Sequence, residues 1–447
     1  MMAGLAAGNL SAQQPLTYSP SPEASLQAET LRQTSPGVPA GPGNQSPIAS
    51  IPSFYAASGE SATSALGVPA FAQFPAANAL SALAENPLLW GPFAAHPHLG
   101  YSFTYGTGLN ASPGNQVPTA LSSVSPGLGL ISKHLTLDYT PTLNNYHKGI
   151  YQDSLNHSAQ LTAAFGYGEW RFTLSQAYQK SSNPLIETAA QTETQSHSTL
   201  LGAAYSYTDK IFFDLSLSQQ FNEAQGFGSY KQWSTMDWIN FRATGKTSFG
   251  FGLGGGYTAF ETGSDTVFEQ IQGRINWRAG PKLSLGLNGG TEIRQFLAED
   301  AQSTPSTAGS QLNPLFGATL AYQVFEWTSL GLAANRSISS SLFETQLTEI
   351  TSVTATIGQR LFGRLQLGLT AGYRTTDYLS DSTATSPLPQ ETGARSDEIT
   401  FASISLGAAI RRKGNATVSY QRSANKSNVP GFTYNSDQYT FSLGYRF

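Results

Sequence analysis

The sequence predicts an all-β chain: a transmembrane, antiparallel, up-and-down β-barrel of about 18 strands, with 16 as the smaller count, behind a low-complexity N-terminal tail. Three observations carry this. First, the 447 residues include only 12 % charged ones, about half the usual globular share, together with 44 glycines, 20 tyrosines and 25 phenylalanines. Second, from Leu99 onward apolar residues recur with period two, the mark of half-buried strands. Third, the connections between these segments are alternately short and long. No window offers the roughly twenty consecutive apolar residues of a membrane-spanning helix. The other structure that satisfies its own backbone inside a bilayer is a closed barrel.

Residues 1–98 read as a disordered tail rich in Pro, Ala and Ser. Sixteen of the 24 prolines lie at or before Pro126, and up to Ser132 the only charged residues are Glu23, Glu29, Arg32, Glu60 and Glu85. Such a stretch buries too little apolar area to offset its chain entropy. Two short helices fit within it. One starts at Ser21-Pro22-Glu23, a serine cap followed by proline; the other covers 77–85 and ends before Pro87. The first fourteen residues resemble the back end of a secretory signal that lacks its basic start.

The barrel is expected over 99–447. Its last strand is the clearest: Tyr439, Phe441, Leu443, Tyr445 and Phe447 alternate with Thr440, Ser442, Gly444 and Arg446. The same rule holds at Ile211, Phe213, Leu215 and Leu217, and at Phe249, Phe251 and Leu253. In order, the expected strands are 99–109, 117–130, 135–143, 154–165, 170–179, 197–207, 211–221, 233–243, 248–259, 266–277, 282–296, 313–322, 328–337, 346–359, 364–374, 398–410, 416–422 and 437–447. Most run ten to fourteen residues, against the roughly 9–11 that cross a bilayer at a tilt. The first three are the weakest, because Pro118, Pro126 and Pro141 each lack a ladder donor. Asp237 departs from the apolar face of its strand.

The short connections are 131–134, 166–169, 208–210, 244–247, 278–281, 323–327, 360–363 and 411–415. The long ones include 144–153, 180–196, 222–232, 297–312, 375–397 and 423–436. Long loops gathered at one end distinguish an outer-membrane barrel from a soluble sandwich. Trp170, Trp277 and Trp327 adjoin short turns, and Phe165 and Tyr207 precede them, as an interfacial aromatic girdle requires.

Here the residues carry a resemblance. The stretch from Tyr439 to Phe447 looks like the C-terminal assembly signal of bacterial outer-membrane proteins. Ser125 to Leu130, then Leu135 to Tyr139, then Tyr146, is similar to the opening of the outer-membrane β-barrel porin-like family, and Asn156 and Asn183-Pro184 fit the same pattern. The resemblance covers roughly 99–447. It implies a bacterial outer-membrane location, with membrane lipid, lipopolysaccharide and the barrel-assembly machinery as partners, and leaves a homo-oligomer open.

Catalytic motifs are few. Gly250-x-Gly252-x-x-Gly255 has dinucleotide spacing but lies inside a strand with no helix to receive phosphate. His96, His98, His134, His147, His157 and His197 show no metal spacing, and His96-Pro97-His98 is assigned to the tail. A membrane-embedded lipase needs Ser and His side by side on the outer face; His157 has outward parity, whereas Ser206 and Ser216 face inward. With no cysteine, thiol chemistry is excluded, and a net charge of −4 gives no basic surface for nucleic acid. No enzyme and no cofactor are expected.

Charge remains. Parity places Arg171, Arg242, Arg274, Arg364 and Arg446 in the lumen near short turns, Glu292, Arg294 and Arg374 toward the long loops, and Asp138 and Asp214 deeper. Few inward aromatics are read beyond Trp238 and Phe296. The long loops carry thirteen acids and five bases, the short turns eight bases and three acids, an acidic outer mouth and a basic inner one. The expected function is a passive channel for small hydrophilic solutes. A barrel for exopolysaccharide export or surface attachment is the second reading, and an autotransporter the third.

Overall fold

The computed structural model describes residues 88–107, 118–147, 151–185, 190–261, 264–297, 311–341, 346–380, 395–410, 413–429 and 431–447. The tail expected over 1–98, with its two helices, lies outside the described residues as far as position 87.

A short strand, β1 (Leu88–Trp90), forms a hairpin with β2 (Phe93–Thr107). There follow β3 (Thr119–Ile131), β4 (Leu135–Tyr146), β5 (Ser154–Tyr167), β6 (Trp170–Leu185), β7 (Ala190–Ser206), β8 (Ile211–Ala224), β9 (Tyr230–Arg242) and β10 (Thr247–Phe260). The rest are β11 (Thr266–Arg278), β12 (Leu283–Phe296), β13 (Gln311–Phe325), β14 (Thr328–Ser340), β15 (Gln346–Leu361), β16 (Leu365–Ser380), β17 (Ser396–Ile410), β18 (Gly414–Ser427) and β19 (Tyr434–Arg446). From β2 on, each strand pairs antiparallel with the next, and β19 returns to β2, so eighteen strands close a barrel. The closing rungs run from Arg446↔His98 to Asp437↔Thr107.

The outer face is apolar. Phe249, Phe251, Leu253, Leu406, Ile404, Tyr439 and Phe441 are all exposed, and residues between them along each strand turn inward. At the short turns Phe165, Phe172, Trp170, Tyr205 and Phe213 form a continuous run of stacked rings with centroids 4.7–6.4 Å apart. This is the expected girdle.

Strand boundaries differ from the sequence reading at both ends of the barrel. Strand β2 starts at Phe93, so His96, Pro97 and His98 belong to the barrel wall. Pro97 sits where β19 ends; its carbonyl accepts Phe447 N at 3.1 Å, and its missing N–H forgoes only the return bond at this last position of the ladder. At the other end the strands outrun the expected loops. The β6–β7 ladder continues to Leu185↔Ala190, held beyond the expected strand by a Ser181–Thr194 hydroxyl pair (3.1 Å) and a Lys180–Glu193 ion pair (2.8 Å).

The prolines that weakened the first strands explain a local break. The β3–β4 ladder stops at Val124↔Leu143 and resumes at Leu128↔Tyr139. Pro126 and Pro141 face each other in this gap, so no backbone donor is stranded there. On the lumen side Ser125–Thr142 (2.8 Å) and His98–Thr140 (3.0 Å) bridge it. Restoring two donors, each worth about 1 kcal/mol, should strengthen the seam. We expect the double variant Pro126→Val/Pro141→Val to unfold at a higher temperature, measured by heat-modifiable gel migration.

Candidate functional site

Directly paired residues of antiparallel strands share a face, so the register assigns the lumen side of every strand. From outward Phe249 and Phe251 on β10 it follows that Gly250 and Gly252 point inward. Their rungs place Asn240 and Trp238 of β9, Asp214 of β8 and Arg274 of β11 on the same side.

Arg274 is the centre of the best-connected lumen cluster. Its guanidinium pairs with Asp214. It donates to Asn240 Oδ1 from Nε (2.9 Å) and Nη2 (2.6 Å), and Asn240 Nδ2 donates to Asp214 Oδ2 at 2.9 Å. The cation lies 4.3 Å from the Trp238 ring centroid. Gly250 makes room: a Cβ there would come within 2.5 Å of Asn240 and 2.7 Å of Arg274. This gives the small residue of the Gly250-x-Gly252-x-x-Gly255 run a packing role on a strand.

Toward the long loops a second pair forms. Arg294 Nε donates to Glu292 Oε1 (2.8 Å) and Gln270 Nε2 to Glu292 Oε2 (2.6 Å), with Arg294 4.6 Å from the Phe268 centroid. These two charged side chains are 2 % and 1 % exposed. Arg395 forms a third cluster, bonded to Asp397 (2.6 Å) and lying between Tyr378 (4.4 Å) and Phe432 (3.6 Å). At the short-turn end Arg242 donates to the Asp209 carbonyl (2.7 Å) and lies over Phe212. Arg171, Arg278 and Arg446 share its inward side and are half-buried.

Inward Thr192, Asn222, Thr258, Phe268, Glu292 and Tyr434 are buried toward the loops, and Trp238, Asn240 and Ser284 are buried toward the turns; the arginines at the turn end are half-buried.

Of the predicted lumen charges, Arg171, Arg242, Arg274, Glu292, Arg294, Arg374, Asp138 and Asp214 have inward register. Asp138 accepts from Thr140 (2.9 Å) and lies 3.9 Å from His98, whose ring covers Gly127. Arg364 does not belong to the strand. It lies exposed in the turn after Phe362 and Gly363, both of positive φ, because the tight reversal consumes that position. The expectation of few inward aromatics also fails: besides Trp238 and Phe296, the residues Phe212, Phe268, Tyr378 and Phe401 face the lumen. Phe268 was legible, since it shares parity with Gln270, Gln272 and Arg274. Arg395 and Asp397 were hidden because they were assigned to a loop. Asn156 and Asn183, noted for the family resemblance, bond to each other at 3.3 Å.

On the closing strand, Tyr439, Phe441, Leu443 and Tyr445 face outward and pair with Tyr105, Phe103, Tyr101 and Leu99. Phe447 packs edge-on against Tyr445 at 5.1 Å.

The outer face holds a Ser–His contact after all, and it is not at His157, which bonds Tyr139 (2.8 Å). Ser122 Oγ lies 2.7 Å from His147 Nε2. The neighbouring carboxylate, Asp153, is taken by Asn145 Nδ2 and Tyr146 N, both 2.8 Å, so no described acid orients the imidazole as a general base requires.

A closed, even-numbered, up-and-down barrel with an apolar exterior, short turns at one end and an aromatic girdle is the architecture of bacterial outer-membrane proteins, and this chain is one of them. The solved structures it is similar to include Pseudomonas aeruginosa OccK11 (OpdR), at 11 % identity and a TM-score of 0.42, covering 79 % of this chain and 96 % of that one. Pseudomonas aeruginosa OccK2 (OpdF) matches at 12 % and 0.44, covering 79 % and 97 %. The FrpB iron transporter of Neisseria meningitidis matches at 10 % and 0.41, covering 78 % and 82 %. No family model and no curated protein sequence matches the chain.

Removing one partner of a fully buried ion pair strands the other at about 3–5 kcal/mol; Arg274 and Asp214 are 18 % and 14 % exposed, and Asp214 keeps its bond from Asn240. We expect Arg274→Met to lower barrel stability by less than that, about 1–3 kcal/mol, and Arg274→Met/Asp214→Asn to recover most of it. Urea titrations in detergent measure both.

Proposed function

We propose that the protein is a porin-like channel through which small hydrophilic solutes diffuse passively across the outer membrane. The observation that supports this best is the polar, charge-lined inner face. Its turn end is basic, and toward the loops the Glu292–Arg294 and Arg395–Asp397 pairs present both signs of charge. A lining of that kind favours polar over apolar solutes and discriminates weakly between cations and anions. The basic rim of Arg171, Arg242, Arg278 and Arg446 raises the local anion concentration at the inner mouth. The outward face of β19, with Phe447 at its end, would serve the barrel-assembly machinery as its recognition strand.

Four of the inward aromatics are not free ring faces of the kind a sugar slide needs: Arg274 covers Trp238, Arg294 covers Phe268, Arg242 covers Phe212 and Arg395 covers Tyr378.

Exposed charges act over about 10 Å at 0.1 M salt and less at higher salt. Planar-bilayer recordings with oriented insertion should therefore show an asymmetric current–voltage curve at low salt that straightens as salt rises. Arg171→Gln/Arg242→Gln/Arg446→Gln should lose most of the asymmetry. A membrane that stays non-conducting with folded protein inserted contradicts the channel.

A further inference from the structure

The His96-Pro97-His98 run, which reads as tail in the sequence, lies on β2. Two residues apart on a strand, His96 and His98 share a face. His98 pairs with Arg446, the inward neighbour of exposed Tyr445, so that face is the lumen.

What the two rings meet there is decided by β3. The rung row His96↔Gly129↔Asp138 crosses β2, β3 and β4, and His98 pairs with Gly127. Neither glycine fills the space between the outer two strands. The His98 ring lies over Gly127, where a Cβ would collide with it. Asp138 Oδ2 and His96 Cβ border one point above Gly129, 3.5 and 3.9 Å from where a Cβ would sit. Side chains of β2 and β4 therefore converge across a bare stretch of β3.

The hydrogen bonds then fix where the lone pairs point. Thr140 Oγ1 donates its only proton to Asp138 Oδ1 (2.9 Å). The 3.0 Å bond between Thr140 Oγ1 and His98 Nε2 is in consequence donated by the ring. Neutral His98 is thereby held with its lone pair on Nδ1, and Nδ1 faces Asp138 Oδ2 at 3.9 Å. Two acceptors confront each other with no proton between them. His96 adds a further ring nitrogen: its Nε2 is shut off from the surface and has no hydrogen-bond partner.

We propose that His96, His98 and Asp138 form a binding site for a divalent transition-metal ion of the zinc and copper class, in the lumen beside the closing strand. Two imidazoles and a carboxylate suit such ions, whereas calcium and magnesium take oxygen ligands. Bonds of about 2.0–2.2 Å from metal to nitrogen and to oxygen span the gap between Nδ1 and Oδ2. Thr140 stands behind the ligands, holding the tautomer of His98 and one oxygen of Asp138. Arg446 faces the cluster from β19. It opposes protonation of the imidazoles, which keeps them in the form that binds metal, and it also repels the ion, so it limits affinity. The site needs the barrel folded, not conducting.

The test uses full-length protein, without a polyhistidine tag, extracted from outer membranes in detergent. It is titrated with Zn²⁺ by calorimetry and with Cu²⁺ by electron paramagnetic resonance. One equivalent should bind, with the copper signal split by two imidazole nitrogens. His96→Gln and His98→Gln should each leave one nitrogen and, like Asp138→Asn, weaken Zn²⁺ binding at least about tenfold. Thr140→Val, which leaves all three ligands in place, should weaken it about tenfold, and Arg446→Gln should tighten it. His147→Gln/His157→Gln should change neither readout. Heat-modifiable migration shows that each variant is folded. Folded protein that binds no equivalent of either ion, or binding that survives His96→Gln/His98→Gln, overturns the proposal.

Discussion

Closure of β19 onto β2 is the interaction on which everything else depends. In hydrocarbon an unpaired N–H or C=O has no water to turn to, so an eighteen-stranded sheet survives only if its two edges find each other. The seam is built for this. Tyr439↔Tyr105, Phe441↔Phe103 and Leu443↔Tyr101 pair large rings and chains on the lipid side, and Thr104 and Thr440 meet at 3.1 Å on the lumen side. Closure fixes the shear, the shear fixes which residues share a rung, and the rungs bring Arg274 of β11 to Asp214 of β8.

Where the ladder fails, side chains take its place. The prolines at 126 and 141 remove two donors at one level, and lumen hydroxyls on β3 and β4 span the gap. At Ser216 the carboxylate of Asp237 accepts the N–H that no carbonyl takes. The first break is sealed by groups facing the lumen; the second uses Asp237 and Thr235, which face outward.

Much of this was legible in the residues. Period-two alternation assigns inside and outside for every strand, and the run from Ile211 to Leu217 or from Leu365 to Tyr373 has one possible facing. What alternation cannot supply is register between strands distant in sequence. Arg274 and Asp214 both read as lumen charges, but their pairing needs the ladders through β9 and β10. Strand ends were misplaced where polarity continues outside the membrane: Ser181, Ser182, Gln191, Thr192, Thr194, Gln195 and Ser196 look like loop, yet the ladder and a hydroxyl pair hold them extended. His96-Pro97-His98 reads as tail because proline usually ends a strand, and here it faces Phe447 at the end of the ladder, where one bond is forgone.

The central claim, that one chain closes on itself through β2 and β19, has a direct test. In a protein without cysteine, Thr104→Cys/Thr440→Cys places two thiols where the hydroxyls now touch. The account predicts a quantitative intrachain disulfide in native outer membranes, seen as a band that no longer expands on boiling until reductant is added. Two free thiols in the folded, membrane-inserted protein, or a disulfide only between chains, would contradict it.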